Sequence, residues 1–261
     1  MAKKSNSPKQ SKIIRQSIAN RFVHWTTALS VLLLIITGLG QLPLYTRYNV
    51  TKLPGALWLG DYFITINLHY LAAFGLLFAA SFHIVYAFAR REFDIFPRKG
   101  DMKESYQIIK AMLTKGKEPA SDKYLAEQRV AYLFIGLSLL LLIVTGLLKT
   151  MKNVPGVDLS HSLLYWNTAL HNLGTGLIIF GVIGHLAAFL LKENRPLLPA
   201  MFTGSISRKY VKHRHSLWYA KLLRNGEINE INLNESKTQS NGDNSIHQNP
   251  KKSDVGKSTS V

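Results

Sequence analysis

Four long runs without a single Asp, Glu, Lys or Arg, residues 22–42, 62–89, 130–148 and 159–191, constrain this chain more than any other feature. A helix that crosses a membrane needs about 20 apolar residues, and each run reaches or nearly reaches that length. A buried core helix in a soluble domain is rarely so long, and a chain of 261 residues does not hold four of them. The runs therefore predict an all-α membrane protein built on a four-helix transmembrane bundle. The polar, basic stretch before the first run, with no small-residue cleavage site after it, reads as the lead-in to an anchor helix rather than a cleaved signal.

Charge sets the expected orientation. Lys and Arg number six in the N-terminal segment, ten in the middle loop 90–129 and twelve in the C-terminal segment, against two each in loops 43–61 and 149–158. By the positive-inside rule, both termini and the middle loop face the cytoplasm. Trp25, Tyr45, Trp58, Tyr62, Tyr132, Tyr165 and Trp166 fall near the ends of the runs, where interfacial aromatics belong. The expected organisation is a basic N-terminus (1–21), the transmembrane domain (22–191), a basic C-terminal segment (192–225) and a disordered tail (226–261) poor in apolar residues. In the middle loop, Tyr106, Ile109, Met112 and Leu113 recur at helical spacing among lysines, which predicts a short amphipathic helix on the inner membrane surface or against a partner. No internal repeat is evident. The net charge of +17 on so apolar a chain argues against nucleic-acid binding, and the absence of cysteine excludes iron–sulfur ligation, Cys-bound zinc and covalent c-type haem.

Five of the nine histidines lie in or at the ends of the runs: His24, His69, His83, His171 and His185. Ionisable groups at membrane depth are costly and mark function. His171 and His185 are 14 residues apart, which at helical geometry places them on one face about 21 Å apart along the axis. With His24 at the inner start of the first helix and His69 at the outer start of the second, two level-matched pairs follow, His24 with His185 and His69 with His171. Imidazoles facing each other across a bundle suit iron, so the pattern predicts two stacked bis-histidine b haems. A histidine proton relay would recruit carboxylates, and the runs contain none; zinc would need clustered ligands. His83, also 14 residues from His69, competes with His24 for the inner haem, and geometry alone leaves that choice open. Gly38, Gly40, Gly75, Gly136, Gly146, Gly174, Gly176, Gly181 and Gly184 suit either close porphyrin approach or ordinary helix packing.

The stretches Arg21-Phe22-Val23-His24-Trp25-Thr26, Leu68-His69, Lys123-Tyr124 with Gln128-Arg129, Val144-Thr145-Gly146, Leu170-His171 and His185 occur together with a C-terminal Ser207-Arg208-Lys209-Tyr210 run that continues to His215 and Trp218-Tyr219. In these residues, over about 12–224, the chain resembles the gamma subunit of membrane-bound respiratory formate dehydrogenase, a four-helix di-haem cytochrome b. The resemblance implies that His24 and His185 ligate the inner haem, and His69 and His171 the outer. It implies an iron–sulfur beta subunit and a molybdenum- or tungsten-containing alpha subunit as partners outside, and reduction of menaquinone or ubiquinone beside the inner haem. Where that family shows Asn-x-Gly-Gln, this chain has Leu125-Ala126-Glu127-Gln128: Gln128 matches, the Asn amide is lost, and Glu127 becomes a candidate proton donor in a quinone pocket. Lys149, Lys152 and His161 are candidates for partner or propionate contact. Two other readings are a cytochrome b serving a hydrogenase, thiosulfate reductase or other quinone-linked oxidoreductase, and a haem-free membrane anchor or transporter.

Overall fold

In the computed structural model, which describes residues 12–228, all four apolar runs are helical: α1 (Ile18–Gln41), α3 (Tyr62–Arg90), α5 (Ala126–Met151) and α6 (His161–Ala187). Between α1 and α3 lies one turn, α2 (Leu44–Arg47), and the middle loop holds α4 (Asp101–Thr114). After α6 come α7 (Ala200–Thr203), α8 (Arg208–Arg214) and α9 (Ser216–Arg224). Ser17, Asp61 and Ser160 cap α1, α3 and α6, each side-chain oxygen accepting a backbone N–H three residues on. At the start of α5 the Gln128 side chain reaches back instead and accepts from the Leu125 N–H.

Each apolar window is only 11–22 % buried within the protein. Phe63, Leu71, Phe74, Phe180 and Ile183 stand exposed along it. So much apolar surface is far beyond what a soluble monomer tolerates, and a bilayer covers it. Inside, α1 packs on α3 and α5 on α6. Gly75 lies so near Ser30, and Gly174 so near Leu142, that a Cβ on either would crowd those side chains at 2.8 and 3.0 Å. A central apolar layer, with Val31 from α1, Leu76 from α3 and Ile178 from α6 at its heart and Ile135, Leu139 and Leu142 of α5 against it, joins the two hairpins.

One end of the bundle is capped. Strand β1 (Lys12–Ile14) pairs antiparallel with β2 (Ser205–Ser207), Ile13 opposite Ile206. Gly204, at φ +80°, turns the chain into β2, and a Cβ there would lie 2.7 Å from the Gln16 carbonyl, so glycine is required. Arg15 donates to the Lys123 carbonyl at 2.8 Å and to Gln128 Oε1 at 2.9 Å. Arg129 grips Asp101 through two hydrogen bonds of 2.6 and 2.8 Å, both side chains 5 % exposed. The N-terminal segment, the middle loop and the C-terminal segment thus meet at the same end. That grouping agrees with their shared excess of Lys and Arg.

Helix α4 forms where the amphipathic pattern predicts it, and packs on the rest of the chain through an adjoining face. Ile108 and Met112 pack on Leu125 and Ala126, while Tyr106, Ile109 and Leu113 are exposed. The Asp101–Arg129 pair fixes that rotation. A compact unit extends through Tyr219 and a second begins at Ala220; the expected tail, 226–261, lies almost wholly outside the described residues.

Candidate functional site

The histidines of α1, α3 and α6 meet in two pairs. His69 and His171 face each other with ring centroids 6.5 Å apart and planes at 58°. His24 and His185 do the same at 6.2 Å and 55°. A metal held between two ring nitrogens at about 2 Å from each puts the centroids about 6 Å apart, and both pairs show about that separation. A porphyrin would bring the further iron ligands that two histidines do not supply. Among the described residues no His, Cys, Asp or Glu cluster of three or more is placed to hold a metal ion; the ligating groups come in twos.

The His69–His171 pair is also held in orientation by neighbouring side chains. Thr37 Oγ1 donates to the Leu33 carbonyl at 2.7 Å and lies 2.9 Å from His69 Nδ1. With the hydroxyl proton committed to the carbonyl, Nδ1–H is the donor, and the lone pair sits on Nε2. Thr145 repeats the arrangement, donating to the Leu141 carbonyl at 2.7 Å and lying 2.8 Å from His171 Nδ1. Fixing the tautomer and ring orientation of a ligating histidine is the usual task of such a partner. Buried Asn167 donates to the Thr145 carbonyl at 3.0 Å and braces that segment. Gly38 and Gly146, which follow the two threonines, lie beside the His69 and His171 rings. Sequence reasoning quotes Thr145 without giving it a role and misses Thr37 and Asn167, although Thr-Gly-Leu recurs at 37–39 and 145–147.

At the capped end, His24 packs edge-on against Trp25, whose Nε1 donates to the Met201 carbonyl at 2.9 Å, and Arg21 donates to the Phe202 carbonyl. His185 rests on Phe189. Of the two candidates for the partner of His185, the structure sets His24 opposite it. His83 instead meets Tyr132, Nε2 to hydroxyl, at 2.9 Å.

The two residues expected near a quinone are drawn into the cap. Gln128 Oε1 accepts from Arg15 and from the Leu125 N–H. Both carboxyl oxygens of Glu127 are buried without a hydrogen bond, with Arg214 Nη2 at 3.9 Å. Arg214 is itself held by Glu118 at 2.8 Å, by Asn194 Oδ1 at 2.6 Å and by the Glu193 carbonyl at 2.7 Å. At the other end, Lys149 Nζ donates to Thr168 Oγ1 at 3.2 Å.

A search of curated proteins finds no match. The family model of prokaryotic cytochrome b561 matches residues 15–204, from the start of the cap through all four membrane-spanning helices and both histidine pairs. With that match over most of its length, the chain belongs to the prokaryotic cytochrome b561 family and is a membrane-bound b-type cytochrome with an electron-transfer role.

Proposed function

We propose that this cytochrome is the membrane subunit of a respiratory formate dehydrogenase, carrying electrons from an iron–sulfur subunit on the outer side to menaquinone or ubiquinone on the cytoplasmic side. The observation that carries the reading is the pair of histidine couples at opposite ends of the bundle, about 21 Å apart by helical rise. His69 with His171 would hold an outer b haem, and His24 with His185 an inner one. Bound haem supplies one-electron redox chemistry, at a potential tuned by its axial ligands and their surroundings. Thr37 and Thr145 hold the outer imidazoles with Nε2 inward. Val31, Leu76 and Ile178 exclude water from the layer between the couples.

In the sequence, the N-terminal, middle and C-terminal segments hold 28 Lys and Arg, against four in loops 43–61 and 149–158, which supports a cytoplasmic cap. Loops 42–61 and 152–160 then face outward as the surface for the iron–sulfur subunit and, beyond it, a molybdenum- or tungsten-containing subunit. Formate oxidation belongs to that last partner. Support for formate as donor comes from the C-terminal run. In this chain it forms part of the cap: Arg208 donates to the Tyr219 hydroxyl at 3.0 Å, Tyr210 to the Glu193 carbonyl at 2.8 Å and His215 to the Asp122 carbonyl at 2.7 Å.

A second reading keeps every residue above and changes the donor to a hydrogenase or another oxidoreductase. The test is haem reduction in native membranes, followed by purification of the intact complex. Reduction by formate, with a molybdenum or tungsten subunit co-purifying, supports the first reading; reduction by hydrogen and not by formate replaces it with the second. Glu127, beside Arg214, is assigned as a proton donor to the quinone, and unchanged quinone reduction by Glu127→Gln would end that assignment.

A further inference from the structure

His83 is the membrane-level histidine that does not face another histidine. It lies 14 residues from His69, as His185 does from His171, so by helical rise it stands at the level of the inner couple. Its Nε2 is 2.9 Å from the hydroxyl of Tyr132, which reaches it from α5. A polar pair at this depth needs a reason, and its surroundings suggest one. Tyr132 is packed edge-on by Phe96 at 5.6 Å between centroids, Phe96 by Phe93 at 5.7 Å, and Phe93 by Phe88 at 5.5 Å. Phe88, Phe93 and Phe96 are all exposed on the outside of the bundle, Phe88 by 68 %. An aromatic wall open to the lipid therefore ends at a hydrogen-bonding pair.

We propose that His83 and Tyr132, with the Phe93–Phe96 wall, bind the head group of a quinone entering from the bilayer. The hydrogen-bond count fits such a guest. Neutral His and Tyr bring one donor each, and their mutual bond uses one. Whichever way the shared proton lies, one N–H or O–H remains to donate to a quinone carbonyl. The unused lone pairs accept from the hydroxyl of the quinol, so the pair serves both forms. Edge-to-face rings are the packing a flat aromatic head group finds favourable. Gln128, which the family resemblance places at the quinone, is occupied here by Arg15 and the Leu125 N–H. This inference rests on the reading of the chain as a quinone-linked cytochrome.

The test uses the full chain with its haem in lipid nanodiscs, titrated with menadione, a naphthoquinone without an isoprenoid tail, and corrected for uptake by empty nanodiscs. His83→Phe and Tyr132→Phe each remove one polar group and keep the bulk. Each is expected to weaken binding about ten-fold, with haem per chain unchanged as the check on folding. Unchanged affinity in both variants, haem intact, overturns the site. Loss of a haem in His83→Phe also overturns it, because His83 would then be an iron ligand. Haem-loaded wild-type protein that takes up no menadione overturns the quinone reading itself, not merely its location.

Discussion

Thr145 Oγ1 lies 2.8 Å from Nδ1 of His171, and because its own proton goes to the Leu141 carbonyl, the ring must donate to it. Thr37 stands in the same relation to His69 in the other hairpin. In both, a threonine late in the first helix fixes the tautomer of a histidine early in the next. Each hairpin thus delivers one imidazole with Nε2 already presented, and the His69–His171 pair is assembled from two like halves.

Replacing either threonine by valine keeps the shape and removes the acceptor. Losing the outer partner of a ligating histidine typically costs 10–100-fold in metal affinity or activity. Thr37→Val and Thr145→Val should therefore release the outer haem to apomyoglobin about ten-fold faster or more, while Thr→Ser variants behave as wild type. Equal release rates for valine and wild type would show that the hydroxyls do not support the ligands.

The couples make a sharper prediction in haem count. His69→Ala or His171→Ala should lose the outer haem alone, and His24→Ala or His185→Ala the inner alone. A pyridine haemochrome assay should then fall from two haems per chain to one in each case. If His83→Ala drops to one while His24→Ala keeps two, the inner ligand is His83.

Much of this architecture is legible in the chain itself. Charge-free length marks the four spans, and the 14-residue spacing of His171 and His185 marks the two levels. The ends of the spans are less so. Helix α5 begins at Ala126, earlier than its apolar run, because Gln128 and Arg129 find partners in Arg15 and Asp101 that no local pattern reveals. On α4, periodicity groups Met112 with Tyr106, Ile109 and Leu113, yet only Met112 is buried. Apolar spacing says which residues avoid water, not which neighbour covers them. The Thr-Gly-Leu repeat was present but too short to stand out; its meaning lies in contacts 32 and 26 residues away, to His69 and His171. The β1–β2 pairing joins residues far apart in sequence, Ile13 with Ile206, and two three-residue strands leave no signal in composition.

Asp101 and Arg129 should be far less tolerant of change than any surface pair. The Arg129 hydrogen bonds hold the Asp101 carboxyl below the usual carboxylate range. Its contribution is complete above the ordinary carboxylate pKa of about 4 and is lost as pH falls below it. Asp101→Ala leaves the buried guanidinium with only the Tyr124 carbonyl and Glu104 at 4.0 Å, and breaking such a buried pair typically costs about 3–5 kcal/mol. The variant should melt at lower temperature, with α4 the first segment to gain hydrogen exchange. Replacing both residues by Met and Leu should recover most of the loss; a double variant as unstable as Asp101→Ala would mean that packing, not the stranded charge, sets the cost.

His215 gives the cap a pH dependence. It is fully buried, Nδ1 donating to the Asp122 carbonyl at 2.7 Å and Nε2 without a hydrogen bond, between the rings of Tyr210 and Trp218. Burial pushes its pKa down to about 4, and the nearby Arg15 and Arg214 cations push the same way, against the opposing hydrogen bond and charge of Asp122. In the unfolded chain the ring titrates near the ordinary value of about 6.5. Above that pH both states are neutral and the residue contributes no slope. Between about 6.5 and about 4 the unfolded state takes up a proton that the folded cap refuses, so stability falls by at most about 1.4 kcal/mol per pH unit. Hydrogen exchange of amides 205–219, corrected for intrinsic rates, should rise from pH 6.5 to pH 5 in the wild type. His215→Gln keeps a donor for Asp122 and removes the titration. If protection falls equally in this variant, His215 is not the group that loosens the cap.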